Sequence, residues 1–334
     1  MQYKHFYQIL SVAFLSIFTV FPANAQDPDD IIRTETSLVQ LNIGVVDKQG
    51  RAVTSLTKND FAIYEDGVKQ SIQLFEPVEA PFSLVLMLDM SGSTINFRQQ
   101  LKLASQRFLD ALAPDDRVAV IQFNKEVKLL TGFTVDRQKT AYAIEIANGA
   151  GETYFYNALR FALKELEKEG KRRKAIVVLT DGLDTHLRNT DRATLSKAQT
   201  DEEALATIKP DASSELINVL TSADRQGVTI YPLALPSGDP KRLPMPTPNI
   251  IGIYAAARSR LQSLADRTGG RLNEINQLQH MAQLYREVAA NLRTLYTVGY
   301  QPPGDRPRGK WHKIKVEVAH SDLTARTKPG YFAR

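Results

Sequence analysis

The stretch Phe82–Ser93, FSLVLMLDMSGS, decides the fold of this chain. It contains the apolar run Leu84–Leu88, and an unbroken run of this length is typical of a strand buried on both faces of a parallel sheet. Directly after this run, Asp89, Ser91 and Ser93 place a carboxylate and two hydroxyls at alternate positions. Open α/β sheets bind their ligands at the carboxyl edge of the strands, so the stretch predicts a site as well as a strand.

The residue types at this edge suit a hard divalent cation. Mg²⁺ prefers near-octahedral oxygen ligands and keeps part of its water shell, so hydroxyls and a few carboxylates can hold it. Alone, the Asp-x-Ser-x-Ser pattern is weak, because Asp and Ser also cap helices and form turns. Two later stretches strengthen it. Thr153 follows a loop that contains two glycines, and Asp181 follows a second buried-strand run, Ala175–Leu179. We expect Asp89 to lie at a solvent-facing strand end.

These five residues, Asp89, Ser91, Ser93, Thr153 and Asp181, resemble in order and spacing the metal-ion-dependent adhesion site of von Willebrand factor type A domains. The resemblance covers roughly residues 81–296, and the flanking segments look like those of bacterial secreted proteins related to von Willebrand factor A. It implies that the five residues surround Mg²⁺ or Mn²⁺, directly or through water, and the sequence leaves Ca²⁺ open as an alternative. It also implies that an Asp or Glu carboxylate of a protein ligand completes the metal's coordination.

Composition excludes several classes of protein. The 334 residues are 43% hydrophobic and 24% charged, which suffices for one large domain and a small one. A formal net charge of +5 without a long basic run does not indicate a nucleic-acid partner. The chain has no Cys, which rules out disulfides and thiolate zinc sites, and its five His include no pair at zinc-ligand spacing.

The first 25 residues have the pattern of a secretory signal peptide. Lys4 precedes the apolar core Ile9–Phe21, and Ala23-Asn24-Ala25 forms a small-residue cleavage site. We therefore expect cleavage after Ala25, a secreted or periplasmic location, and no integral membrane segment in the mature protein. An uncleaved anchor is the alternative, although the apolar stretch is short for a membrane span.

Strands that alternate with helices predict a doubly wound, mostly parallel α/β sheet of the Rossmann-like kind. Strand patterns also occur before and after this region, and three strands alone make a poor domain. We therefore expect the α/β domain to be inserted in, or flanked by, a small β-sandwich that both ends of the chain build. The expected divisions are a signal peptide at 1–25, a flexible leader at 26–36, an N-terminal β unit at 37–80, the von Willebrand A-like domain at 81–295 and C-terminal strands at 296–334.

Three local features carry further expectations. Asp66-Gly67 predicts a tight hairpin between strands at Phe61–Tyr64 and Ser71–Phe75. The polar segment Thr185–Ser213 reads as an insertion with a short helix at Asp201–Ile208. Of the three aromatic residues that follow Thr153, at least one is expected in the core and another against a ligand; they are Tyr154, Phe155 and Tyr156.

Three functions fit these features. The first is an exported, metal-dependent protein-binding module of the adhesion type, without enzyme activity. The second is a metal-assisted hydrolase, which would need a general base and a substrate pocket that the sequence does not identify. The third is a scaffold or assembly protein in which the ion is structural.

Overall fold

The computed structural model describes residues 38–170, 172–236, 246–275, 281–304 and 309–333. The predicted signal peptide and leader lie outside the described residues. Within the described ranges, no helix combines the length and the apolar character that a membrane span requires.

A mostly parallel sheet forms the centre of the molecule. The two buried runs predicted from the sequence are its inner strands, and every residue of both is buried. The strands are β5 (Phe82–Asp89), β6 (Arg117–Phe123), β7 (Val127–Thr134), β8 (Arg173–Thr180), β9 (Val228–Ala234) and β10 (Asn273–Glu274). In the described residues their order is β10-β9-β8-β5-β6-β7, and only β7 runs antiparallel to its neighbour. The chain leaves β5 toward β6 on one side and returns to β8 on the other, so the topological switch point lies at the end of β5.

Helices cover both faces of this sheet. They are α1 (Arg98–Asp110), α2 (Arg137–Ile146), α3 (Phe155–Glu167), α4 (Thr185–Thr194), α5 (Asp201–Thr207), α6 (Ser214–Gln226), α7 (Pro248–Thr268) and α8 (Met281–Leu292). Alternate residues of β5 lie on opposite faces of the sheet, because successive side chains of a strand point in opposite directions. Leu84 and Leu86 pack with the apolar residues of α1, α2 and α8, whereas Val85 and Met87 pack with those of α3, α6 and α7.

The two ends of the chain together build a β-sandwich. Its strands are β1 (Val39–Val46), β2 (Phe61–Glu65), β3 (Val68–Gln70), β4 (Ile72–Glu76), β11 (Leu295–Tyr300), β12 (Trp311–Val318), β13 (Thr324–Arg326) and β14 (Gly330–Phe332). One sheet has the order β13-β1-β11-β4 and the other β14-β12-β2-β3. Leu41, Ile63, Val298 and Ile314 lie in one apolar cluster. The predicted fold class, an α/β domain with a sandwich made of N- and C-terminal strands, is confirmed; the exact domain boundaries stay a prediction.

The hairpin prediction is right about the turn and wrong about the second strand. Asp66 and Gly67 have φ angles of 49° and 85°, as a two-residue turn requires. This turn pairs β2 with the short strand β3, with Glu65 opposite Val68. The segment expected to be its partner forms β4, which belongs to the other sheet and pairs with β11. The aromatic ring of Phe75 thereby packs against those of Phe61 and Tyr296 in the sandwich core.

The polar segment 185–213 is more helical than its sequence indicates. It begins with α4, in which Leu187 is the single large apolar residue, and α5 ends at Thr207 close to the predicted position. Asp184 caps α4 by accepting hydrogen bonds from the backbone nitrogens of His186 and Leu187. Asp191 of α4 binds Arg260 of α7 in a buried bidentate ion pair. The cap is a local contact, whereas the ion pair with α7 is long-range and is not evident from the sequence of α4.

The sandwich contacts the α/β domain at the amino ends of the parallel strands, opposite the predicted site. Asn42 of β1 donates to the hydroxyl of Thr229 on β9 at 2.7 Å and accepts from the hydroxyl of Thr297 at 2.7 Å. Lys328 forms a buried ion pair of 2.9 Å with Asp224. Buried polar contacts therefore join the two bodies in addition to the two chain connections.

Candidate metal centre

Asp89 ends β5 at the switch point, and its carboxylate is held inside the protein. The Thr180 hydroxyl donates to Oδ2 at 2.7 Å and the Ser91 backbone nitrogen donates to Oδ1 at 3.0 Å. The expectation of a solvent-facing Asp89 is wrong, because its exposed fraction is 0%. The loop after β5 folds back over the strand end, where the Thr94 hydroxyl donates to the carbonyls of Asp89 and Ser91 at 2.8 and 3.0 Å.

The two serines differ in exposure. Ser91 is buried, whereas Ser93 is exposed, and their hydroxyl oxygens lie 3.2 Å apart. Between them, the backbone nitrogen of Gly92 donates to the carbonyl of Gly151 at 2.9 Å. This bond joins the serine loop to the loop that carries Thr153.

Thr153 is buried, and backbone contacts on both sides fix it. It exchanges two hydrogen bonds with Thr185 at the start of α4, one from each backbone nitrogen, at 2.8 and 3.0 Å. Gly149 passes so close to the loop after β5 that a Cβ atom there would lie 2.8 Å from the carbonyl oxygen of Met90. The Thr153 hydroxyl has no hydrogen-bond partner among the described residues.

Asp181 follows β8 and is only 1% exposed. Its Oδ1 atom accepts a hydrogen bond of 3.1 Å from the backbone nitrogen of Leu183. Its Oδ2 atom is buried and has no hydrogen-bond partner at ordinary distance in the described part of the chain. A buried carboxylate oxygen without a partner is rare and costly, so this atom requires an explanation.

The two carboxylates repel each other in a dry environment. Burial and the neighbouring charge of Asp181 raise the pKa of Asp89 to about 7, although hydrogen bonds from Ser91 and Thr180 act in the opposite direction. Burial also raises the pKa of Asp181, against the opposing influence of Ser93, Leu183 and Arg258. A cation between the two groups would offset both the repulsion and the missing partner of Oδ2.

The donor set fits a hard divalent cation. It combines two carboxylates with three hydroxyls, all oxygen ligands of the kind that Mg²⁺ and Ca²⁺ prefer. The predicted site residues also lie on loops that are bonded to one another at one sheet edge. In the described residues there is no metal-binding group of three or more His, Cys, Asp or Glu side chains. The candidate set differs from such a group because most of its members are hydroxyls.

Two positioning residues were missed from the sequence. The guanidinium of Arg98 donates to the carbonyls of Met90 and Ser91 at 3.1 and 3.2 Å and also to that of Gly149, so it joins the two site loops. Thr180 orients the Asp89 carboxylate. Both residues contact a different loop or strand from their own. No local sequence pattern therefore predicts these contacts.

The aromatic residues after Thr153 divide between core and surface. Phe155 is buried, with its ring 6.0 Å from that of Phe123, and Tyr156 is also buried. Tyr154 is half-buried and donates from its hydroxyl to Glu152 at 3.1 Å. The expected core packing is found, and the expected ligand contact stays a prediction.

Comparison with known proteins connects this geometry to a family. Residues 84–183 match the family model of the von Willebrand factor type A domain. Among solved structures, the chain is similar to a von Willebrand factor type A protein from Catenulispora acidiphila, with 14% identity, 83% of this chain and 75% of that chain covered, and a TM-score of 0.48. It is also similar to the vWF domain of the type V pili tip protein Mfa5 from Porphyromonas gingivalis, with 14% identity, coverage of 68% and 98%, and a TM-score of 0.48.

A third similar structure is proximal thread matrix protein 1 from the mussel byssus, with zinc in its metal-ion-dependent adhesion site (MIDAS) motif. The identity is 15%, 70% of this chain and 50% of that chain are covered, and the TM-score is 0.45. Domains of the matched family generally mediate protein–protein interaction. Residues 84–183 of the chain therefore carry a match to the von Willebrand factor type A domain.

Proposed function

We propose that this protein is an exported, metal-dependent protein-binding module of the adhesion type. A divalent cation, Mg²⁺ or alternatively Mn²⁺ or Ca²⁺, binds at the carboxyl edge of the central sheet. Its ligands, directly or through water, are Asp89, Ser91, Ser93, Thr153 and Asp181. The bound cation supplies an electrophilic centre for an Asp or Glu carboxylate of a protein partner. Export rests on the signal-peptide pattern of residues 1–25.

The observation that carries this proposal is the unpaired Oδ2 atom of Asp181. It is buried beside a second buried carboxylate, and no described protein group donates to it at ordinary hydrogen-bond distance, although the Ser93 hydroxyl lies near enough to influence the pKa of Asp181. Uncompensated buried charge is strongly unfavourable, and a metal ion is a common way to compensate it. The hydroxyl of Thr153 is likewise without a protein partner.

Two features favour an external ligand over a purely structural ion. Three of the five donors are neutral hydroxyls, so the cation keeps more electrophilic character than in a carboxylate-rich site. Ser93 and Gly92 are exposed, so the edge of the site opens to solvent on this side. A partner's carboxylate can therefore approach the cation without rearrangement of the buried residues.

Selection from a random peptide library tests this function. Peptides selected on the immobilised protein in Mg²⁺ and released by EDTA should be rich in Asp or Glu. Changing the key acidic residue to Asn or Gln should weaken binding at least tenfold, because an amide binds a cation less well than a carboxylate. The Asp181→Asn variant should fail to retain these peptides.

The matched control is Asp110→Asn, which changes an exposed carboxylate at the end of α1 and should retain the peptides. Peptides that bind equally well in EDTA, or that keep their affinity after the acidic residue is changed, would contradict the proposed mode of binding.

A further inference from the structure

The β-sandwich has one outer face that packs on the α/β domain and another that faces solvent. Asn42, which contacts β9 of the α/β domain, lies in the sheet β13-β1-β11-β4. The other sheet, β14-β12-β2-β3, turns Ile314 and Val316 of β12 toward the sandwich core. Because side chains alternate along a strand, the residues between them point outward. The outward side of this sheet, which we call the lysine face, carries Tyr64, Lys69, Trp311, Lys313, Lys315 and Phe332.

Positive charge is concentrated on the lysine face. Its three lysines are exposed, and the strand register places Lys315 opposite Tyr64 and Tyr64 opposite Lys69. Among the described residues of these four strands that point outward, Glu317 is the one acid, and it binds Lys315 at 2.6 Å. Like charges on neighbouring positions of a sheet are unfavourable for the folded protein. An anionic partner would offset this repulsion.

An aromatic pair borders the lysines. The rings of Trp311 and Phe332 pack edge to face with their centres 5.1 Å apart, and Phe332 is 39% exposed. Gly330 leaves room for the Trp311 ring, because a Cβ atom there would lie 2.5 Å from it. The guanidinium of Arg267 on α7 lies 4.7 Å from the centre of the same ring and adds a fourth positive group. Four cations against one acid make this surface strongly positive in a chain whose formal net charge is +5.

The combination of lysines and aromatic rings suits the surface of an anionic lipid bilayer. Each lysine close to such a surface adds to the electrostatic attraction. Trp is enriched at the boundary between water and lipid, because one end of its ring system is polar and the rest is apolar. A soluble acidic polymer would engage the lysines but would offer no apolar environment to Phe332. The signal-peptide pattern of residues 1–25 argues against a nucleic acid, since it predicts export from the cell interior.

We propose that the lysine face docks the protein on the surface of an anionic phospholipid bilayer. The three lysines contact lipid phosphates, and Phe332 enters the headgroup layer beside Trp311. None of the five predicted metal ligands belongs to the sandwich, which joins the α/β domain at the edge opposite the candidate metal centre. Docking would therefore leave that centre accessible to a protein partner. The membrane contact goes beyond the proposed protein-binding function and does not depend on it.

Vesicle binding followed through Trp311 tests this inference, because Trp311 is the single tryptophan of the chain. The protein without residues 1–25 is mixed with vesicles of equal parts phosphatidylglycerol and phosphatidylcholine, or of phosphatidylcholine alone. We expect binding to the anionic vesicles and at least about tenfold weaker binding to the neutral ones. High salt should weaken the binding, because it screens exposed charges. Lipids with bromine on their acyl chains should quench the fluorescence of Trp311 in the bound protein.

Removal of the three lysine charges is the decisive variant. The triple substitution Lys69→Gln, Lys313→Gln and Lys315→Gln should weaken binding to anionic vesicles at least about tenfold. The melting temperature should stay unchanged, because all three side chains are exposed. If the triple variant nevertheless folds poorly, Lys69→Glu alone decides, because Lys69 lies on the edge strand β3 and its charge reversal should still weaken binding measurably.

The matched control removes the same charge from exposed positions of the α/β domain, and it should bind like the wild type. It carries Lys125→Gln, Lys164→Gln and Lys197→Gln.

Three results would overturn the inference. The first is that the anionic vesicles do not bind, or that they bind the lysine-face variant as tightly as the control. The second is equal binding to neutral and anionic vesicles. The third is binding without quenching of Trp311 by brominated lipids, which would leave the aromatic pair outside the bilayer and indicate a soluble polyanion as the partner.

Discussion

Deletion of residues 301–334 is expected to unfold the β-sandwich. This segment supplies β12, which lies between β14 and β2, so its loss removes the centre of one sheet. Burial of a large apolar side chain contributes about 1.5–3 kcal/mol, and the segment buries both Ile314 and Tyr331 in the sandwich core. A loss of about 3–6 kcal/mol is comparable with the whole stability of a typical domain. The expected readout is loss of hydrogen-exchange protection at the amides of β1 and β2.

The matched control for this deletion is Val68→Ser on β3. Val68 is 62% exposed at the edge of the same sheet, so its replacement should leave protection unchanged. If β1 and β2 remain as protected in the shortened chain as in the full chain, the two ends fold independently and the shared core is not what stabilises them.

Replacement of Arg173 by Ala should cause the largest loss of stability among single substitutions at the junction of the two bodies. Arg173 begins β8, is 3% exposed, and has its guanidinium 4.0 Å from the centre of the Phe82 ring. Burial lowers the pKa of Arg173 to about 10, so the group stays protonated at neutral pH. It donates to the carbonyls of both connections between sandwich and α/β domain, namely those of Pro77, Val78, Ala80, Leu292 and Leu295.

Truncation of Arg173 leaves several of these carbonyls buried without a donor. Because hydrogen bonds to charged groups contribute about 1.5–3 kcal/mol each, we expect the free energy of unfolding to fall by at least about 3 kcal/mol. Urea denaturation measures this change, and Arg107→Ala, at an exposed position of α1, is the control. A loss of unfolding free energy below about 1 kcal/mol would show that the hydrogen bonds of Arg173 to the two connections contribute little to stability.

The sequence was most informative where local pattern and topology act together. The two apolar runs predict β5 and β8, and the carboxyl ends of parallel neighbours must lie at one sheet edge. That rule alone brings Asp89 and Asp181 together. The loop before Thr153 is bonded to the serine loop through Gly92 and Gly151, and Gly149 lies close to the carbonyl of Met90, where a larger residue would not fit.

The sequence was least informative about contacts between distant segments. The burial of Asp89 depends on how the following loop folds back, and α4 depends on an ion pair with α7. Arg98 and Arg173 act on carbonyl groups far away in the chain, and any residue type can supply a carbonyl. No periodicity or motif distinguishes these arginines from those on the surface.

The central claim is that the buried carboxylate pair and its hydroxyls form one cation site. Titration calorimetry with Mn²⁺ and Mg²⁺, on the wild type and on Asp89→Asn, tests it most directly. The amide preserves the volume of the buried side chain and removes the charge that Asp181 repels, so the variant should fold at least as stably without metal. Asp110→Asn again serves as the control. We predict one bound cation per chain in the wild type and the control, and at least a hundredfold weaker binding in Asp89→Asn; equal affinity in all three proteins would contradict the account.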